Sequence, residues 1–192
     1  MYLKRNKELE IISLYTADYH KQFYLREISM LAKIPLKTAQ NVLSYLEEAK
    51  ILKATTKGKH KYFRLNVDNA QTKLYIIQAE IYKTMVFLDQ YPLLKAFLKE
   101  VSVNSTIIVF GSFARSIAGK ESDIDLLIIS KEPSKLPLHL LSYRTHKIEL
   151  SESSFQESIK KQETLIKEIE ENHIILNNHS FYVNIMWNYY GK

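Results

Sequence analysis

The stretch IIVFGSFARSIAGKESDIDLLII, residues 107–129, decides how the second half of this chain is read. It opens and closes on apolar runs, Thr106–Phe110 and Ile124–Ile129, each of strand length and rich in β-branched residues, as buried strands are. The first run ends at Gly111-Ser112, and Ser112–Ala118 reads as the start of a helix. Backbone N–H groups at such a corner suit phosphate oxygens. Glycine lets the backbone come close to a phosphate, and the Ser112 hydroxyl adds a donor. Arg115, one turn on, is placed to pair with the same phosphates.

Ten residues after Ser112 stand Asp123 and Asp125. On an extended strand, side chains at i and i+2 leave the same face, so the two carboxylates lie side by side. Such a pair repels itself unless a cation lies between, and oxygen-only ligands suit Mg²⁺, which takes one or two carboxylates with phosphate oxygens and water. A phosphate cradle next to a metal platform is what phosphoryl and nucleotidyl transfer need.

Gly111-Ser112, ten residues, then Asp-x-Asp resembles the signature of the polymerase-beta nucleotidyltransferases. Gly-Ser-Phe-Ala-Arg with Ser-Asp-Ile-Asp-Leu is most similar to their minimal branch. The resemblance covers about residues 100–190. It implies a nucleoside triphosphate, ATP by preference, at Gly111, Ser112 and Arg115, and two Mg²⁺ ions on Asp123 and Asp125. It also implies a third carboxylate on a later strand that helps activate the attacking hydroxyl. Glu149, in Lys147-Ile148-Glu149-Leu150, is the matching position, with Glu152 as the alternative. Where that branch commonly has glycine after the arginine, this chain has Ser116; Gly119 is the nearest substitute. Stand-alone relatives act as antitoxins that transfer AMP onto a HEPN-type toxin. The resemblance therefore implies a hydroxyl-bearing acceptor, a partner protein foremost. The alternative is a regulator whose domain only senses nucleotide; transfer to a small molecule ranks third.

The first third of the chain has a different character. Residues 1–66 hold 13 Lys and Arg against 6 Asp and Glu, whereas residues 67–192 hold 14 against 15. All the excess positive charge sits in the first segment, which suggests a polyanion partner there. Helical periods run over Glu8–Tyr19, Arg26–Lys33 and Leu36–Ala49, with a turn at Ile34-Pro35. A short strand at Phe23–Leu25 lies between the first two. Two extended runs around Thr56–His60 make a hairpin. From about Lys7 to Asn66 this order resembles a winged helix-turn-helix. It implies contact with double-stranded DNA through Lys37, Thr38, Gln40, Asn41 and Ser44 on the third helix and Lys57, Lys59 and Lys61 on the hairpin, with Arg64 beside them.

Residues 69–100 read as helical with a break at Pro92, and Leu74, Ile77, Ile81, Met85 and Leu88 form an apolar stripe. Packing against the chain's own domains is the commoner use of such a stripe; joining two protomers as a homodimer is the other. Gln156–Asn172 reads as one charged helix. Tyr182, Trp187, Tyr189 and Tyr190 form an aromatic cluster, most simply the closure of a core. The 6 histidines show no i, i+4 pair. His146 lies near Glu149, within reach of the site, although a surface or packing role is the commoner one for such a residue. The expected fold class is α+β: a winged helix-turn-helix at 1–68, a helical linker at 69–101 and a polymerase-beta-like domain at 102–192.

With 46% apolar and 25% charged residues the chain has ordinary globular material. It has no cysteine, which excludes disulfides and thiolate zinc sites. No apolar run approaches the roughly 18 residues of a membrane span, and the N-terminus carries no signal-like core. A cytoplasmic protein without membrane contact is the expectation.

Overall fold

The computed structural model describes residues 5–101, 105–119, 121–132 and 135–191. The boundary expected between 101 and 102 abuts residues outside that range. Among the described residues, Lys83–Ile185 form one compact unit; the rest, running up to Tyr82 and resuming at Met186, form the other.

The N-terminal unit follows the element order read from the sequence: α1 (Lys7–Ser13), β1 (Phe23–Tyr24), α2 (Leu25–Leu31), α3 (Leu36–Glu48), β2 (Leu52–Lys57) and β3 (His60–Leu65). Asn6 caps α1 by accepting from the Glu8 and Leu9 amides. That helix stops at Ser13, not at Tyr19, because the chain tightens into i, i+3 turns in which Tyr15 donates to Ile12 and Thr16 to Ser13. The strands form an antiparallel sheet in the order β1-β3-β2, with Gly58 at φ 60° in the hairpin turn. Ile11, Ile28, Ala39, Leu43, Leu46 and Leu65 are its buried centre. Tyr15 donates its hydroxyl to the Phe63 carbonyl at 3.1 Å, and burial pushes that phenol's pKa up.

The helix α4 (Ala70–Gln90) is continuous, and Tyr91-Pro92 separates it from α5 (Leu94–Glu100). Its first half is tied to the N-terminal unit: Thr72 donates to the Ile51 carbonyl and Tyr82 to Glu10. Its second half belongs to the other unit, where Thr84 donates to the Ile175 carbonyl at 2.6 Å and Phe87 enters the core. Contacts therefore divide the expected linker near its middle. The stripe expected to pack inward stays largely open: Leu74 is 57% exposed, Ile81 41% and Met85 45%. What each unit buries instead is the opposite side of α4, Ile76 and Ala79 in one and Phe87 in the other.

The second unit is built on the strands β4 (Thr106–Phe110), β5 (Ile124–Ile129), β6 (Thr145–Leu150) and β7 (Ile174–Asn177), in the sheet order β6-β5-β4-β7. β4 runs antiparallel to β5 and β7, whereas β6 runs parallel to β5. A parallel neighbour needs a long connection, and residues 130–144, with a 3₁₀ turn at Leu138–Leu140, provide it. One face of the sheet carries Ile107, Val109, Ile124, Leu126, Ile174 and Leu176 into a core with Phe87, Leu94, Phe97 and Phe113. By strand alternation the other face carries Ile108, Phe110, Leu127, Ile129 and Ile175, all buried.

Two helical readings shorten. The turn after β4 is the single-turn α6 (Gly111–Ala114) rather than a helix to Ala118, because Ser116 takes the left-handed conformation at φ 57°. The charged helix divides into α7 (Glu152–Lys161) and α8 (Thr164–Glu171) at Gln162, which stands at φ 53°. The C-terminal α9 (His179–Tyr190) buries Tyr182 and Val183, while Tyr190 stacks on Tyr19 with ring centroids 4.9 Å apart. At these positions the aromatic cluster closes cores, as expected.

Candidate active site and basic face

The site begins where β4 delivers the chain to Gly111. This residue has φ 65°, a conformation that L side chains adopt at a cost. A Cβ built there would lie 2.3 Å from Oδ2 of Asp125 and 3.2 Å from its Cγ. Glycine is thus required twice, by the backbone angle and by the carboxylate that fills the space a side chain would take. The β4–β5 register explains the approach: Phe110 is paired with Asp125, so the residue after Phe110 turns over the Asp125 side chain.

The structure brings Gly111 and Asp125 together and places Ser112, half-buried, next along the one-turn α6. Asp123 is exposed and sits one residue ahead of β5. Arg115 is exposed, with Nη2 3.9 Å from Oε1 of Glu168 on α8. A single turn adds little macrodipole, so what this corner offers an anion is local backbone donors and the nearby Arg115.

Glu149 is not at this site. β5 and β6 pair in register, with Asp125 beside His146 and Ile128 beside Glu149. Paired residues share a face, so Asp125 shares its face with His146, Ile148 and Leu150. Glu149 falls on the opposite face and, at about 3.3 Å per residue, about 10 Å along the sheet. Its Oε1 pairs with Lys147 Nζ at 2.5 Å. The expectation failed because it put Glu149 on the polar side of β6, whereas Asp125 leaves β5 on the side of Leu127 and Ile129. Glu152 lies farther still, at the start of α7.

The residue that does reach Asp125 is His146, for which the sequence ranked a surface or packing role above a place in the site. Nδ1 of His146 lies 3.2 Å from Oδ1 of Asp125. The pairing of β6 with β5 brought it there, and nothing local in the sequence announced that register. Among the described residues, no group of three or more His, Asp or Glu stands ready to hold a metal ion. The donors that the structure does bring together are a pair, Asp125 and His146, so a cation there would need substrate and water for most of its ligands. Asp125 is partly open to solvent, with a side-chain exposure of 26%, and Asp123 is two residues away. A cation of the Mg²⁺ class takes its remaining ligands from substrate phosphates and water.

On the N-terminal unit, α3 turns Lys37, Gln40, Asn41 and Ser44 to solvent, with Thr38 half-buried. Lys57, Lys59 and Lys61 are exposed on the hairpin. Gln40, Ser44, Lys59 and Lys61 line one cleft of about 460 Å³, together with Tyr24 and Arg26. Arg26 is a cation of this face that the sequence reading left out. Lys61 pairs with Glu47 of α3 at 2.6 Å, and Lys57 donates to Gln22 at 2.8 Å. Lys53 and Asp68 form a close pair that lowers the Asp68 pKa.

Residues 92–181 match the family model described as a nucleotidyltransferase domain. The match spans the Gly111–Asp125 corner and all four strands, and it supports a nucleotidyltransferase domain over those residues of a mixed α+β protein. No curated protein and no solved structure matches the chain. No helix among the described residues is long and apolar enough to cross a membrane.

Proposed function

We propose, on the premise that residues 92–181 are a nucleotidyltransferase domain, that the protein transfers a nucleoside monophosphate, AMP by preference, to a hydroxyl acceptor and binds DNA through its N-terminal unit. The observation that carries the first part is the contact of Gly111 with the Asp125 carboxylate, which sets a side-chain-free backbone corner against an acidic group. Gly111 and Ser112 orient the triphosphate through backbone and hydroxyl donors, and Arg115 adds charge. Asp123 and Asp125 would hold the divalent cation, which when bound neutralises charge on the transferring phosphate. The acceptor oxygen bonds to the α-phosphorus, the bond to the β-phosphate oxygen breaks, pyrophosphate leaves and the hydroxyl proton is released to solvent. The chain's share is positioning and charge neutralisation. A side chain of a partner protein, such as a HEPN-type helical toxin, is the acceptor favoured by resemblance alone.

Incubation with ATP labelled at the α-phosphate, Mg²⁺ and candidate acceptors tests this reading. It predicts label on the acceptor and free pyrophosphate. ATP that binds and is recovered intact with every acceptor sinks the enzymatic part. One observation favours that second reading: the face of Asp125 offers His146 where a third acid was expected. With two carboxylates only, the domain would sense nucleotide without turnover.

For the N-terminal unit, the order of α1, α2, α3 and the β2–β3 hairpin supports a winged helix-turn-helix. The exposed polar face of α3 suits base edges, and the hairpin lysines suit phosphates. Binding to duplex DNA that does not weaken as salt is raised would refute this assignment.

A further inference from the structure

We propose that His146 is itself a ligand of the divalent cation held at Asp125, so that the site takes a first-row transition ion such as Mn²⁺ in preference to Mg²⁺. The inference rests on the nucleotide-and-cation reading of this site and names the donor that reading lacks.

Three observations carry it. First, the in-register pairing of β5 with β6 sets His146 beside Asp125 on one face of the sheet. Second, Nδ1 of His146 stands 3.2 Å from Oδ1 of Asp125. Two ligand atoms at right angles on a small divalent cation, with bonds of about 2.1 Å, lie about 3.0 Å apart. The hydrogen-bonded nitrogen and oxygen are thus spaced as neighbouring ligands also are, and a cation that displaces the shared proton would find both donors within reach. Third, β6 brings no acid to this face. Ile148 and Leu150 are the next residues of β6 on that face, and Glu149 is engaged by Lys147 on the other. The imidazole is 63% exposed, open to an approaching ion and its triphosphate.

The chemistry of the donors sets the preference. Mg²⁺ favours oxygen and parts with water reluctantly, whereas transition ions accept imidazole nitrogen readily. Asp125 and His146 would supply the protein ligands the structure brings together, and the triphosphate and water the rest. This accounts for a pair, rather than a finished cage, in the protein alone.

Pulsed electron paramagnetic resonance of Mn²⁺ on the full chain with ATP reads this directly. The wild type should show the nitrogen coupling of a directly bound imidazole. His146→Asp should keep Mn²⁺ through oxygen, lose the coupling and lose the preference over Mg²⁺. His146→Ala should lose the coupling and bind Mn²⁺ at least about tenfold more weakly, since even groups that only orient metal ligands cost that much when removed. Mn²⁺ that binds in an Asp125-dependent way without nitrogen coupling overturns the His146 assignment while leaving the site's reading intact. Coupling that survives in His146→Asp overturns it as well. Failure of Mn²⁺ to bind even with ATP removes the underlying reading too.

Discussion

Gly111 and Asp125 share one volume: the Cβ that any other residue would add at 111 falls 2.3 Å from the Asp125 Oδ2. A backbone corner and an acid 14 positions on in the chain are therefore in direct contact, and a side chain added at 111 must displace the acid. Gly111→Ala must leave φ 65° or push Asp125 aside. The left-handed backbone alone costs about 1–2 kcal/mol. At the few degrees per kcal/mol expected of a chain this size, thermal melting should fall by about 2–8 °C. ATP binding should be lost with it. An alanine variant that melts and binds like the wild type would show that the corner is not built this way.

Asp123→Ala with Asp125→Ala removes one exposed and one partly exposed carboxylate, neither of them part of the apolar core. The double variant should retain its circular dichroism spectrum and its melting temperature to within a few degrees, while nucleotidyl transfer and cation binding disappear. Loss of the folded signal would mean that the pair is structural.

Glu149→Gln is the complementary control. This side chain lies on the opposite face of the sheet and pairs with Lys147 at 2.5 Å. An exposed pair of this kind contributes about 0–1 kcal/mol. Transfer rate and Mn²⁺ affinity should both stay within about twofold of wild type. A collapse of either would restore Glu149 to the site and contradict the β5–β6 register.

Ser116 occupies φ 57°, where a glycine carries no steric penalty. Ser116→Gly should raise stability by about 0.5–1 kcal/mol, read as a higher denaturant midpoint at unchanged slope. The lost hydrogen bond from Ser116 Oγ to Gln90, 3.3 Å long and exposed, is too weak to reverse the sign. A destabilised glycine variant would refute the strain.

On the N-terminal unit, Lys59→Glu should weaken duplex binding for all sequences and lower the salt slope by about 1, as loss of one phosphate contact does. Gln40→Ala should instead alter discrimination between sequences with little change in slope. If both leave binding untouched, the cleft between α3 and the hairpin faces something other than DNA.

Much of this was legible locally. Phe110-Gly111-Ser112 and Asp123-Ile124-Asp125 declare themselves because strand alternation and the backbone freedom of glycine are properties of neighbouring residues. The same holds for Leu36–Glu48, whose apolar period fixes α3, and for Gly58 in its turn. Places where a helix stops on a left-handed residue, Ser116 and Gln162, were not legible, since serine and glutamine take that conformation only when surrounding contacts over-determine it.

What the sequence by itself determined is the acid pair, the glycine corner and the basic first third, each set by residues within a few positions of one another. What only tertiary structure decided is which residue of β6 meets Asp125. A parallel strand reached through a 15-residue connection has no turn to fix its register. A shift of one residue moves every side chain to the other face. That single choice put His146 beside Asp125 and sent Glu149 to the far side of the sheet.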